Sequence, residues 1–163
     1  MQLSNRLQKN REELGSRTSD FFFLFHTMNK GYGCHIQKIA QEIGLSKGQP
    51  PVLLYLDKNH TRTQRELCNC LNVKPATMTD VLQRMEKNGL VVRKRGEQDL
   101  RTMHVSITEK GRAKSDEFLE QEAALDALFF EGFTDTEKEV FLQLFMKMTE
   151  NLIHDLDFKE VEE

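Results

Sequence analysis

Residues 74 to 95 gather the side chains best able to do chemistry. Lys74, Thr77, Thr79, Asp80, Gln83, Arg84 and Lys87 offer hydroxyls, an amide and cations, the groups that hydrogen-bond phosphates and base edges. Arg93, Lys94 and Arg95 follow as a basic run. The chemistry open to such a set is recognition of a polyanion, not bond cleavage. Reaction motifs are missing from the sequence: it has no glycine-rich phosphate loop, no His-Glu-x-x-His and no Gly-x-Ser-x-Gly. Neither an enzyme nor a cofactor is expected.

The elements that must position these groups are legible from Thr61 to Thr108. Thr63 followed by Glu66 is a capping-box signature, and Leu67 and Leu71 share a face four residues apart. A short helix therefore starts near Thr63 and ends near Asn72, with Thr63 and Gln64 at its start in the candidate recognition set. Pro75 suits the first turn of a second helix, where its missing N–H costs nothing. Met78, Val81, Leu82 and Met85 recur at i, i+3, i+4 and i+7, one apolar stripe on that helix. The polar set faces away from it. Asn88-Gly89 ends the helix. Leu90 to Arg95 and Thr102 to Ile107, joined by a tip at residues 96–101, read as a two-stranded ribbon, with Met103, Val105 and Ile107 alternating with polar neighbours. Helix, turn, helix and basic hairpin is the layout of a winged helix-turn-helix. The second helix would enter a major groove and the hairpin would lie along the backbone or in a minor groove.

Leu90-Val91-Val92-Arg93, then Asp99-Leu100-Arg101, then Ile107-Thr108-Glu109-Lys110-Gly111 resembles the signature of the MarR family of transcriptional regulators. In that family a glycine-ended recognition helix leads to a wing carrying Asp-x-Arg, and a hydrophobic-Thr-x-x-Gly step opens the next helix. The resemblance implies that Asp99 orients the wing by pairing with a nearby arginine and that Arg101 reaches the minor groove. Leu100 stands where many members carry a second basic residue. The resemblance further implies an intertwined homodimer on double-stranded DNA, binding a pseudo-palindromic operator as a repressor. It implies relief by a small apolar or phenolic effector held between the first helix and the DNA-binding lobe.

The flanking segments fit a mainly α chain with a small β wing. The reading is a single MarR-like domain over 1–163, with a winged helix-turn-helix lobe at 45–110. Residues 1–44 and 111–163 supply N- and C-terminal dimerisation helices. Residues 1–17 are polar, and the chain then turns apolar, with Phe21, Phe25, Met28, Tyr32, Ile36, Ile39 and Ile43 in steps of three and four, predicting a long helix. Phe22 and Phe23 widen its face, and Gly31 and Gly33 mark a bend or close packing. Ser46 with Gln49 caps the next helix, whose first turns hold Pro50-Pro51. Thr108 opens an acidic helix ending near Glu131-Gly132, and Thr134 with Glu137 caps a last one carrying Phe141, Leu144, Phe145, Met148 and Leu152. Such apolar surplus predicts a shared face.

Charge agrees with this division. Residues 1–73 hold ten Lys/Arg against six Asp/Glu and residues 74–112 nine against five, while residues 113–163 hold four against fifteen. A basic centre and an acidic end suit a protein with one face on nucleic acid. No run of 18 apolar residues exists and the N-terminus lacks a signal-peptide core, so no membrane partner and a cytoplasmic location are expected. Cys34, Cys68 and Cys70 are three, which implies no disulfide framework. The Cys68-Asn69-Cys70 spacing does not match a zinc site, and Cys68 reads as a small buried residue. His26, Cys34 and His35 on the first helix are the metal alternative, without enough ligands on one face. Cys34 is the candidate redox switch, since some relatives sense oxidants through a first-helix cysteine. A winged-helix protein-interaction module that does not touch DNA is the remaining alternative.

Overall fold

The structure, a computed structural model, describes residues 7–9, 11, 19–96 and 102–155, the side chains of residues 154 and 155 excepted. The chain forms two compact units, Met1–Lys38 and Ile39–Glu163. In order the elements are α1 (Asp20–Glu42), α2 (Gln49–Asn59), β1 (Thr61–Thr63), α3 (Gln64–Cys70), α4 (Pro75–Lys87), β2 (Val91–Arg95), β3 (Met103–Ile107), α5 (Glu109–Phe129) and α6 (Asp135–Asp155).

In the first unit Ser19 starts α1, its hydroxyl accepting from the Phe22 amide (3.1 Å). Arg11 pairs with Asp20 and its guanidinium lies 5.9 Å from the Phe23 ring centre. Phe23 is fully buried, whereas Phe21, Phe25, Met28 and Tyr32 of the expected stripe are exposed. Only the C-terminal end of the stripe, Ile39 and Ile43, is buried among the described residues. Phe21 stacks on Phe25 and Phe22 on His26 along the exposed surface. The helix runs unbroken through Gly31 and Gly33, and neither glycine has a neighbour that a Cβ would meet. No described residue packs closely at either glycine.

The second unit is built round α2, α4 and a three-stranded antiparallel sheet of order β1-β3-β2. β1 is an addition to the expected two-stranded ribbon, ending at Thr63, where the capping box opens the next helix. Thr61, Arg62 and Thr63 pair with Ser106, Val105 and His104, so the wing sheet has a third strand. Three residues are too few to show an alternating pattern. The α2 start also differs from expectation. Gly48 at φ 86° precedes the helix and no side chain caps it. Instead the Gln49 side-chain Oε1 reaches back and accepts from the Ser46 amide at 2.8 Å. Pro50 and Pro51 sit in the first turn, where they forfeit no hydrogen bond.

Val52, Leu53 and Leu56 of α2, Leu67 and Cys68 of α3, and Met78, Val81, Leu82 and Met85 of α4 are all buried, together with Val91, Val105 and Ile107 of the sheet. Each large aliphatic side chain so buried contributes roughly 1.5–3 kcal/mol. α5 closes the unit by seating its N-terminus on the turn after α4. The Thr108 hydroxyl donates to the Gly89 carbonyl (2.7 Å), and the Thr108 amide donates to the Leu90 carbonyl (3.1 Å). The Gly111 amide donates back to the Thr108 hydroxyl (3.0 Å), capping the helix. Lys110 Nζ adds a bond to the Asn88 carbonyl (2.8 Å). A Cβ on Gly111 would lie 2.2 Å from the Leu90 oxygen and 2.8 Å from Ile107 Cγ1, so only glycine allows this approach.

Further along α5, Phe118 and Leu125 are buried while Leu119, Leu128 and Phe129 are exposed. Thr134 and Glu137 form the expected capping box, amide 134 donating to the Glu137 carboxylate (2.9 Å) and amide 137 to the Thr134 hydroxyl (3.3 Å). Phe130, Phe133 and Phe141 meet edge to face, and Phe141 stacks on Phe145. Most of the α6 apolar surface stays open, with Phe141, Leu144 and Leu152 exposed.

Gly111→Ala discriminates helix propensity from packing. Propensity alone would stabilise α5 by about 1 kcal/mol. The clash with backbone predicts a net loss of roughly 1–3 kcal/mol, measured as a lower urea midpoint at unchanged m-value. A raised midpoint would show that the helix can lift from the turn at no cost.

Candidate nucleic-acid interface

α4 is held by its buried stripe, which turns the opposite face outward. Lys74, Thr77, Asp80, Gln83, Arg84 and Lys87 are exposed there. The face carries three cations and one carboxylate beside a hydroxyl and an amide, a donor-rich surface one helix wide. The Arg84 Nε is tied to the Asp80 carbonyl (3.2 Å), which steers its guanidinium along the helix. Gly89 at φ 70° and the Leu90 amide, bonded to the Met85 carbonyl (2.9 Å), turn the chain from α4 into β2.

The hairpin distributes its cations over two faces. Strand alternation sets Arg93 with Val105, and Lys94 with His104, in successive rows. Val105 is fully buried, so Arg93 and Arg95 share the inward face and Lys94 the outward one. The Gly96 amide closes the hairpin on the Thr102 carbonyl at 2.9 Å. Asp99 and Arg101, the wing-tip candidates, lie outside the described residues.

Of the remaining candidates, Thr63, Gln64, Thr79 and Arg93 are half-buried and are engaged within the protein. The Thr63 hydroxyl donates to the Glu66 carboxylate (2.7 Å) and accepts from its amide (3.2 Å). The Gln64 amide nitrogen donates to Thr79 Oγ1 (2.8 Å), which itself donates to the Pro75 carbonyl (2.9 Å). That chain fixes α3 against the first turn of α4. Arg93 donates to Glu86 through Nε, at 2.8 Å. The structure thus separates residues that shape the interface from residues free to touch a ligand. Sequence reasoning missed Glu86 and Lys110, whose partners lie across a turn or in another element.

An apolar cavity of about 470 Å³ adjoins the same helix, lined by Pro51, Val52, Leu71, Val73, Met78 and Val81, with Lys47, Thr77 and Arg84 also in its wall. The cysteines lie elsewhere. Cys34 is exposed on α1, Cys68 is buried and Cys70 is half-buried, and burial pushes the Cys68 thiol above its ordinary range. Among the described residues no three His, Cys, Asp or Glu side chains come together as a metal site.

A buried-stripe helix, a second helix clasped to it and a basic hairpin make up a winged helix-turn-helix. The family of transcriptional regulators SarA/Rot matches residues 35–118 of this sequence, which runs from the last third of α1 to the middle of α5. The chain belongs to the SarA/Rot group of MarR-like winged-helix regulators. It is 30% identical over 111 residues to the HTH-type transcriptional repressor YetL of Bacillus subtilis (strain 168), which covers 67% of this chain and 66% of that repressor's length. Its fold is similar to that of a MarR protein from Peptoclostridium difficile, at 28% identity and a TM-score of 0.74, covering 86% of this chain and 92% of that one. A MarR family regulator from Listeria monocytogenes, solved in complex with 26mer DNA, shares the fold at 22% identity and a TM-score of 0.70 over 85% of this chain and 92% of that one. As a MarR-like regulator the protein binds DNA and is not an enzyme.

The cap that opens α3 gives the DNA-binding lobe a pH dependence. Bonds from the Thr63 amide and then its hydroxyl hold the Glu66 carboxyl below the ordinary carboxylate range, with Arg62 and His104 assisting against a small burial cost. A carboxyl depressed in the folded state stabilises at pH above its unfolded pKa, and the benefit is lost as pH falls through the folded value. Thr63→Ala is expected to cost about 1 kcal/mol at neutral pH and less in acid, once Glu66 is protonated. Thermal melts at both pH values check this. An equal loss at both would remove Glu66 from the cap.

Proposed function

We propose that the protein is a homodimeric repressor that binds a pseudo-palindromic operator, with α4 reading the major groove and the hairpin set on the backbone or in the minor groove. The observation that carries this is the exposed polar face of α4, cations included, set opposite four fully or nearly fully buried side chains and flanked by Lys94 and Arg95. The complex of the Listeria relative with 26mer DNA supports it, as does the repressor role of the Bacillus relative. Thr77, Gln83 and Arg84 are the candidate base readers, and Lys74, Lys94 and Arg95 the phosphate contacts. Asp99 and Arg101 keep the wing-tip roles that the family resemblance gives them. Two such helices related by a twofold axis would fall in successive major grooves, roughly 34–36 Å apart. A cytoplasmic location, where an operator would be met, is part of the same proposal.

The dimer rests on open apolar faces. Phe21, Phe22 and Phe25 of α1 and, separately, Phe141, Leu144 and Leu152 of α6 are exposed, more contiguous apolar surface than a monomer ordinarily leaves in water. Relief by a small, largely apolar effector completes the proposal. The cavity beside α4 has a volume typical of small-molecule sites, and a ligand touching Thr77 and Arg84 there would compete with base reading. Such a ligand shifts the equilibrium only by its difference in affinity between the two states.

Selection of bound sequences from a random DNA pool tests the reading, and a palindrome with half-sites one helical turn apart is the expected product. Light scattering at micromolar concentration should give a mass near twice the 19.0 kDa of one chain; a stable single-chain mass would remove the dimer. Lys94→Ala should weaken binding to operator and random DNA alike and flatten the salt dependence by about one counterion. Gln83→Ala should instead reduce the operator preference by roughly 1–3 kcal/mol. Unchanged preference would move base reading to Thr77 or Arg84.

A further inference from the structure

Arg93 has the composition of a phosphate contact and the geometry of something else. Its Nε donates to a Glu86 carboxylate oxygen at 2.8 Å, and a terminal nitrogen of the same guanidinium makes an ion pair with that oxygen at 2.8 Å. Only 19% of the Arg93 side chain is exposed, against 40% for Glu86. Glu86 stands in the last turn of α4 and Arg93 in the middle of β2, on either side of the Gly89 turn. Among the described residues this is the one side-chain hydrogen bond that joins α4 to β2.

The joint matters because its two sides are fixed by different means. α4 is held by its buried stripe and by the Gln64–Thr79–Pro75 chain. β2 is held by its pairing with β3, whose five rows run from Val91–Ile107 to Arg95–Met103. Toward Arg95 both strands leave the core, since Val91 and Val105 are buried but Lys94 and Arg95 are exposed. The inclination of the hairpin to α4 is set near Val105, where Arg93 sits in the same row. A charge-assisted hydrogen bond from a planar guanidinium, reinforced by an ion pair to the same oxygen, is shorter and more directional than a neutral contact.

We infer that Glu86 and Arg93 form a strut that fixes the inclination of the wing to the recognition helix, and that Arg93 acts as a positioning residue and not as a phosphate anchor. The inference rests on the operator reading above in its DNA-binding consequence, but the strut itself exists in the free protein. It carries an opposite sign from bulk electrostatics. Glu86 is a carboxylate on the helix that faces DNA, so removing its charge should by Coulomb attraction tighten binding to any sequence. As half of a strut, its removal lets the wing lean, and simultaneous engagement of both grooves is lost.

The test is a double-mutant cycle of Glu86→Gln and Arg93→Gln, read in two ways. In the free protein, ¹⁵N relaxation at the Lys94 and Arg95 amides should show lower order in each single variant, and no further lowering in the double variant. This measurement needs no operator, so it decides the strut even if the selection yields no palindrome. With the selected operator, each single variant should lose about three- to tenfold in the ratio of operator to random affinity, with the double no worse than either single. The salt slope should be that of the wild type in all three. Unchanged wing order in Glu86→Gln overturns the inference. So does Glu86→Gln that binds all DNA more tightly, or Arg93→Gln that lowers the salt slope by about one. Losses that simply add would likewise show that the two residues act apart. Melting temperatures of the four proteins, expected to agree within a few degrees because surface ion pairs are weak, identify any variant that misfolds.

Discussion

The approach of α5 to the turn after α4 is the contact on which the DNA-binding lobe depends. At Gly111 the helix backbone comes close enough to the Leu90 carbonyl that no Cβ fits between them. That closeness brings Thr108 within reach of the Gly89 carbonyl, while the Thr108 and Gly111 amides find their acceptors and Lys110 reaches the Asn88 carbonyl. The end of α4, the start of β2 and the start of α5 are thereby one joint. The carbonyls of Asn88, Gly89 and Leu90, just past the end of α4, each acquire a donor from the start of α5. No gap at this point would let α5 shift without displacing the turn that ends α4.

Round that joint the lobe divides its polar residues into those that hold and those that remain available. Gln64, Thr79 and Thr63 are turned to one another or to backbone, and Arg93 to Glu86. Removing any of them changes the geometry of the interface before it changes its chemistry. Lys74, Thr77, Gln83, Arg84, Lys94 and Arg95 are exposed and can meet a ligand without breaking an internal pair other than the Arg84 bond to Asp80. A basic residue on a winged helix is therefore not by itself a contact. Its rotamer and its carboxylate neighbours decide.

The same distinction holds for apolar residues. Those of α4 are buried in the lobe, whereas α1 and α6 present phenylalanines and leucines outward. Stacking of Phe21 on Phe25 and of Phe141 on Phe145 covers part of each ring. It leaves a surface whose hydration is unfavourable and which association would relieve.

What the sequence determined alone is the part governed by local rules. Periodicity marked the stripe of Met78, Val81, Leu82 and Met85, capping chemistry marked Thr63–Glu66 and Thr134–Glu137, and alternation marked β3; all are as read, because each signal acts over at most a few turns of chain. The described part of the family signature was also legible, since Thr108 and Gly111 are residues that the start of α5 demands. Three things needed the tertiary structure. β1 is a strand only because Ser106, Val105 and His104, over forty residues away, offer it a ladder. Phe23, and not the periodic Phe21 and Phe25, is the buried ring of α1, since nothing in a helical repeat says which side finds cover. Arg93 faces Glu86 and not solvent, because strand alternation and the Gly89 turn together set its direction. Side-chain type specifies what a residue is able to bind. Which partner it meets is decided by distances that only the folded chain creates.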